Sequence, residues 1–260
     1  MPGDAVFSYG SLFGFLFTLA RVSGVFAFLP LAAFRATPEA AKIVVSLAFT
    51  MILWPQWKSP AATSAAGMGR IVAGLAGEMA LGLTIGLVVA IVLELFQLAA
   101  QIVSLQAGLG YASTIDPTSG ADSTVLITIA QLTAGLLFFS TGGDRFLVQV
   151  LADSIRLCPP ESFTVTRGWA EPVVRFSSMI FSAGLRLAAP IVALLLLADV
   201  SLAVLGRIQQ QLHLVSLTMP VKLASTMLLL SLTIAFQPGF FVSAMASGTR
   251  LIETLLRSAR

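Results

Sequence analysis

Ionisable side chains are scarce in this chain: Asp, Glu, Lys and Arg make up 10% of its 260 residues, against 57% apolar ones. A soluble domain carries roughly a quarter charged residues, so this balance excludes one and indicates an integral membrane protein. Cysteine and histidine occur once each, as Cys158 and His213. A lone cysteine excludes an intramolecular disulfide and cannot by itself build a cysteine metal site. A lone histidine, with no Cys or carboxylate at ligand spacing, cannot supply the three protein ligands of a catalytic zinc. GxSxG, HExxH and GxxxxGK[ST] are absent, so no catalytic residue, cofactor or metal site is assigned and an enzyme is not expected. The net charge of +3 rests on few groups and suits arginines flanking apolar segments rather than a nucleic-acid surface. The N-terminus has neither a basic n-region nor a small-residue cleavage site, so its first apolar segment is expected to be retained.

What is present centres on the stretch from Glu94 to Leu126. Glu94, Gln97, Gln101 and Ser104 recur at helical spacing and form one polar stripe on an otherwise apolar helix. From Gln106 to Ser123 glycines, hydroxyls and the Asp116-Pro117 step favour turns, since proline pushes the residue before it out of helical geometry. An amide-lined helix therefore delivers a flexible polar loop between two strongly apolar segments.

The flanking segments have unusual lengths. The first, about Val6 to Phe34, is long enough to span a bilayer and carries Arg21 near its middle, where a charge must face protein, water or a carboxylate. A structural ion pair or carbonyl contact is the simpler reading of Arg21, a place on a conduction path the other. Residues 43–54, between Lys42 and Pro55, are too short for a simple span and suit half of a hairpin. Residues 71–105 are the opposite: one proline-free helix there would overshoot a bilayer, with Glu78 and the Gly82/Gly86 pair in its first half. Beyond the loop, an apolar run from Val125 to Phe139 should stop at Thr141-Gly142-Gly143. Residues 144–175 hold most of the mixed charge and read as an amphipathic helix to about Cys158, a Pro159-Pro160 break and a solvated loop, most simply an extramembrane connection.

A fifth segment, about Val173 to Leu205, contains Arg186, Pro190 and Asp199. Arg186 and Asp199 lie on different sides of it and must each seek a partner elsewhere. A polar hinge (Arg207 to Thr218), a last apolar segment (about Met219 to Phe236) and a charged tail complete the chain. In a six-segment scheme, basic residues favour a cytoplasmic position for the 144–175 loop and the C-terminus.

In order and spacing, RVSGVFAFLP with Arg21 and Pro30, then Pro38 and Lys42, Glu78 with Gly82 and Gly86, QAGLGYASTIDPTSGADS, TGGDRFLVQVLADS, and LLLLADVSLAVLGR followed by MPVK with Lys222 resemble the FliR/SctT family of type III export apparatus subunits. The resemblance covers nearly the whole chain, and DPTSG leans to the flagellar branch. It implies an all-α integral membrane protein whose helical hairpins pack into a multi-subunit export gate and do not cross the bilayer as ordinary spans. A single domain over 1–260 is expected, with about 1–165 resembling FliP and about 166–260 resembling the FliQ hairpin. Implied partners are FliP-like and FliQ-like subunits, an FlhB-like subunit, exported flagellar proteins and membrane lipid, with no nucleic acid, at the bacterial inner membrane in the flagellar basal body.

The resemblance also implies that loop 106–123 plugs the channel, making Gly108, Gly110, Asp116, Pro117 and Gly120 candidate gating residues. Arg21, Lys42, Glu78, Glu94, Arg186, Asp199 and Lys222 become candidate buried or structural charges. The chain departs from the family in the hinge, where Gln210-Gln211-Leu212-His213 replaces a Pro-Gln-x-Asn pattern and Thr218 replaces a glycine. The alternative is a small-solute transporter or channel subunit with Arg21, Glu78, Glu94, Arg186 and Asp199 along its path, for which an inverted repeat is wanted and none is found.

Overall fold

The computed structural model describes residues 9–28, 38–53, 68–109, 124–160, 163, 167–208 and 214–258. All of its regular structure is helical: α1 (Tyr9–Phe28), α2 (Glu39–Ile52), α3 (Met68–Ala107), α4 (Thr124–Ser140), α5 (Gly143–Leu157), α6 (Arg167–Ser177), α7 (Met179–Ile208), α8 (Leu214–Thr233), a 3-10 turn (Ile234–Phe236) and α9 (Gln237–Ser258). By length and composition four helical stretches can cross a membrane, or five if the pair on either side of Gly142 counts as one. The protein is thus an all-α membrane protein.

The anomalous lengths are real features. Helix α3 has 40 residues, about 60 Å at 1.5 Å per residue, and α2 has 14. Local signals set their ends. Pro38 caps α2, since it cannot join the helix interior and presets the backbone. Gly108 ends α3 at φ 83° and Gly142 separates α4 from α5 at φ 78°, a left-handed geometry that side chains disfavour.

Two expectations are corrected, and the charged tail proves helical. Residues 167–175, assigned to the end of a solvated loop, belong to helix α6, and the fifth segment is divided at Ser178 between α6 and α7. Residues 214–218, assigned to a hinge, already belong to α8. The charged tail is helical to Ser258, continuing through the 3-10 turn into α9.

The chain forms two compact units that interleave along the sequence: residues 1–92, 138–177 and 244–260, and residues 93–137 and 178–243. In the first unit α1 lies on α3 backbone to backbone. A side chain at Gly82 would overlap the Arg21 carbonyl, one at Gly86 the Val25 carbonyl, and one at Gly24 the Met79 carbonyl. Small residues matter here because lipid gives helices no hydrophobic reason to associate, leaving close packing and polar contacts to hold them. Phe17, Val22 and Val25 of α1 are fully buried, and Phe26 packs its ring on Phe49 of α2. In the second unit Ala99, Val103 and Ala107 of α3 meet Ala188, Ile191 and Leu195 of α7, with Leu126 of α4.

Candidate functional site

Two polar clusters stand inside this apolar framework, one in each unit. The first is built on the glycine contact. Glu78 and Gly82 are one turn apart on α3, so the face that receives the α1 backbone at Gly82 carries a carboxylate just beside it. The Arg21 side chain reaches that carboxylate: Nε donates to Glu78 Oε2 at 2.6 Å, and Nη2 lies 2.5 Å from the same oxygen. Both side chains are 1% exposed. The guanidinium makes two further contacts, Nη1 donating to Ser154 Oγ at 3.2 Å and Nη2 to the Cys158 carbonyl at 2.9 Å. Ser154 passes its own proton to the Leu151 carbonyl at 2.7 Å, so it presents a lone pair to the arginine.

The amphipathic helix expected to about Cys158 is α5, and its end is part of the buried centre of this unit. Ser154, Ile155, Cys158 and Phe163 are all buried, and the Cys158 thiol approaches the Leu256 carbonyl at 3.7 Å. An arginine paired and sealed in this way, at 1% exposure, is closed off from a passing solute. Its chemistry is to bind α1, α3 and the end of α5 together through charge-assisted hydrogen bonds.

The second cluster lies at the root of the glycine-rich stretch. Lys222 Nζ on α8 is 2.7 Å from Asp199 Oδ1 on α7, and Gln106 Nε2 at the end of α3 donates to Asp199 Oδ2 at 3.1 Å. Lys222 also approaches the Gln106 backbone carbonyl at 3.5 Å. A cation beside the final carbonyls of a helix is favoured by the helix dipole and by the acceptors that the helix leaves unpaired there. Two residues further, Gly108 turns the chain out of the helix. The arrangement fixes the point at which the loop departs. Gly110, Asp116, Pro117 and Gly120 lie outside the described residues, as do His213 and the rest of the Gln210 to His213 hinge.

The other expected charges are dispersed. Lys42 and Glu94 are half-buried, and Arg186, expected among the buried charges, is exposed. Its helix buries Gly184, Ala188, Ile191 and Leu195, which recur at helical spacing and leave position 186 on the far side. The expected polar stripe is also divided. Gln97 accepts from Gln131 of α4 at 2.6 Å, Gln101 is exposed, and the Ser104 hydroxyl is buried with no hydrogen-bond partner among the described residues.

Sequence reasoning missed Ser154 and the Cys158 carbonyl as partners of Arg21, and no local signal marks them at separations of 133 and 137 residues. Asp199 and Lys222 were each singled out, but nothing in the sequence paired them. Among the described residues no three His, Cys, Asp or Glu side chains cluster as metal ligands would.

The sequence profile described as bacterial export proteins, family 1, matches residues 12–248. The chain belongs to that family. Among bacterial export proteins of this kind, it is 26% identical over 228 residues to the flagellar biosynthetic protein FliR of Pectobacterium carotovorum subsp. carotovorum, covering 87% of this chain and 86% of that one. Its identity to FliR of Escherichia coli is 27% over 210 residues, 80% and 79% of the two chains. To the surface presentation of antigens protein SpaR of Salmonella typhimurium it is 26% over 215 residues, 82% and 80%. Family 1 is thus a family of export proteins and not of enzymes, and this chain's place is in a membrane-embedded export apparatus.

Proposed function

We propose that the chain is a subunit of the flagellar type III protein export gate in the bacterial inner membrane, at the flagellar basal body. With FliP-like and FliQ-like chains, and an FlhB-like one beside them, it forms the channel through which unfolded flagellar proteins leave the cell. Residues 106–123 plug that channel at rest. The observation that carries the plug is the second cluster: α3 ends on a left-handed glycine, and its last turn is held by Asp199 and Lys222. A polar, glycine-rich stretch thus departs from a fixed point on a long, largely buried helix. Glycine gives the stretch freedom to move aside and its hydroxyls and carboxylate tolerate water.

The apolar outer faces of α7 and α8 support the sheathing by partners. Leu185, Leu197, Val200, Leu228 and Leu232 are exposed. A patch of this extent marks a surface covered by protein or lipid. The small-solute transporter loses support from the first cluster, because Arg21 and Glu78 are sealed against each other.

The test is ion leakage through membranes that contain the assembled complex. Deleting residues 108–121 is expected to raise resting conductance while assembly is kept. Conductance equal to that of the intact complex removes the loop from the gate.

A further inference from the structure

We infer that Arg186, on the outer face of α7, is the docking point for a helix of another chain that carries a carboxylate at the same membrane depth. The inference rests on the export-gate reading only in needing an assembly of several chains. Between Arg175 and Asp199 no other residue is charged, with ten residues before Arg186 and twelve after it. At 1.5 Å per residue, Arg186 lies roughly 15–20 Å along the helix from each flanking charge. That distance exceeds what its side chain covers, so neither flanking charge serves it. Arg186 makes no hydrogen bond or ion pair within the described residues and is exposed. A guanidinium left in hydrocarbon is costly, and protein is the remaining source of a counter-charge.

The surroundings fit a helix in particular. Ser182, Ala189 and Ala193, on the same face at helical spacing, are all exposed. They are small enough for a second backbone to come close, as Gly82 and Gly86 allow between α1 and α3. Pro190, also exposed, has no N–H, so the Arg186 carbonyl one turn earlier loses its usual helical donor. The site thus offers guanidinium donors and a spare acceptor within one residue, on a helix with no other charge for ten residues on either side. A carboxylate accepts from the guanidinium, and a hydroxyl or amide beside it on the partner helix satisfies the carbonyl. An anionic lipid or a water-filled path would supply the first contact but has no use for the close-approach surface.

The experiment uses the full chain, tagged and expressed with its native partners. A photo-crosslinker placed at Ser182 or Ala189, with Arg186 intact, is expected to join this chain to a helix of a different polypeptide bearing an Asp or Glu within one turn of the joined residue. Arg186→Glu is expected to lower recovery of that polypeptide about 30-fold or more at unchanged membrane abundance, and changing the identified carboxylate to Arg in the same cells to restore it. Crosslinks that reach only lipid or this chain, or wild-type recovery with Arg186→Glu, overturn the inference. A wild-type chain that recovers no other polypeptide sinks the assembly reading itself, which the Arg186 variants alone would not.

Discussion

Removing Glu78 tests the buried ion pair most severely. In Glu78→Ala the Arg21 guanidinium keeps Ser154 and the Cys158 carbonyl but loses the carboxylate that took two of its nitrogens, at 1% exposure. Stranding one member of a buried pair costs about 3–5 kcal/mol. Set against a total stability of about 5–15 kcal/mol, that is a large fraction of what holds the chain folded. Arg21→Met strands Glu78 instead and also leaves the Cys158 carbonyl without its donor, a further cost of about 1–3 kcal/mol. Replacing both, as Arg21→Met with Glu78→Leu, leaves no naked charge, so the double variant is expected to be more stable than either single one. The double-mutant cycle should return a coupling of about 2 kcal/mol or more, read from denaturant titration of the purified protein in detergent. Additivity within about 0.5 kcal/mol would refute the pairing as the element that holds α1, α3 and α5 together.

Gly82→Val forces a side chain into the Arg21 carbonyl, and a loss of about 2 kcal/mol or more is expected in the same titration. Gly135→Ala meets nothing within 4 Å and gains helix propensity, so it should be neutral or stabilising by about 0.5–1 kcal/mol. Lys222→Met removes the cation from Asp199 and from the end of α3, so amide hydrogen exchange at residues 104–109 should speed up while that of α1 does not change. Gly108→Val places a β-branched residue at φ 83° and should cost about 1–3 kcal/mol, seen as fraying of the last turn of α3 by the same exchange measurement.

The length of α3, the shortness of α2 and the stop at Gly142 were legible because they depend on neighbours in sequence: an unbroken apolar run, a proline at an end, a glycine at φ 78°. Arg21 and Glu78 were each legible as charges that need a partner. Their pairing was not, since it depends on α1 lying across Gly82, 61 residues away along the chain. Ser154 and Cys158 were hidden for the same reason and by an additional one: the charges around them suggested solvent, although alternate helical positions face inward. Arg186 was legible as a charge in need of a partner beyond its own helix, but the face it occupies was not read. Gly184, Ala188, Ile191 and Leu195 define a buried face from which position 186 is turned away. Composition concealed this, because in a segment apolar all round the inner and outer faces look alike.

The most direct test of the central claim is to purify the tagged chain from native membranes in mild detergent and identify what comes with it. If this chain is sheathed by other export subunits, FliP-like and FliQ-like polypeptides accompany it in fixed ratio. A chain recovered alone or only with copies of itself, ordered and able to move a small solute in vesicles, would contradict the account.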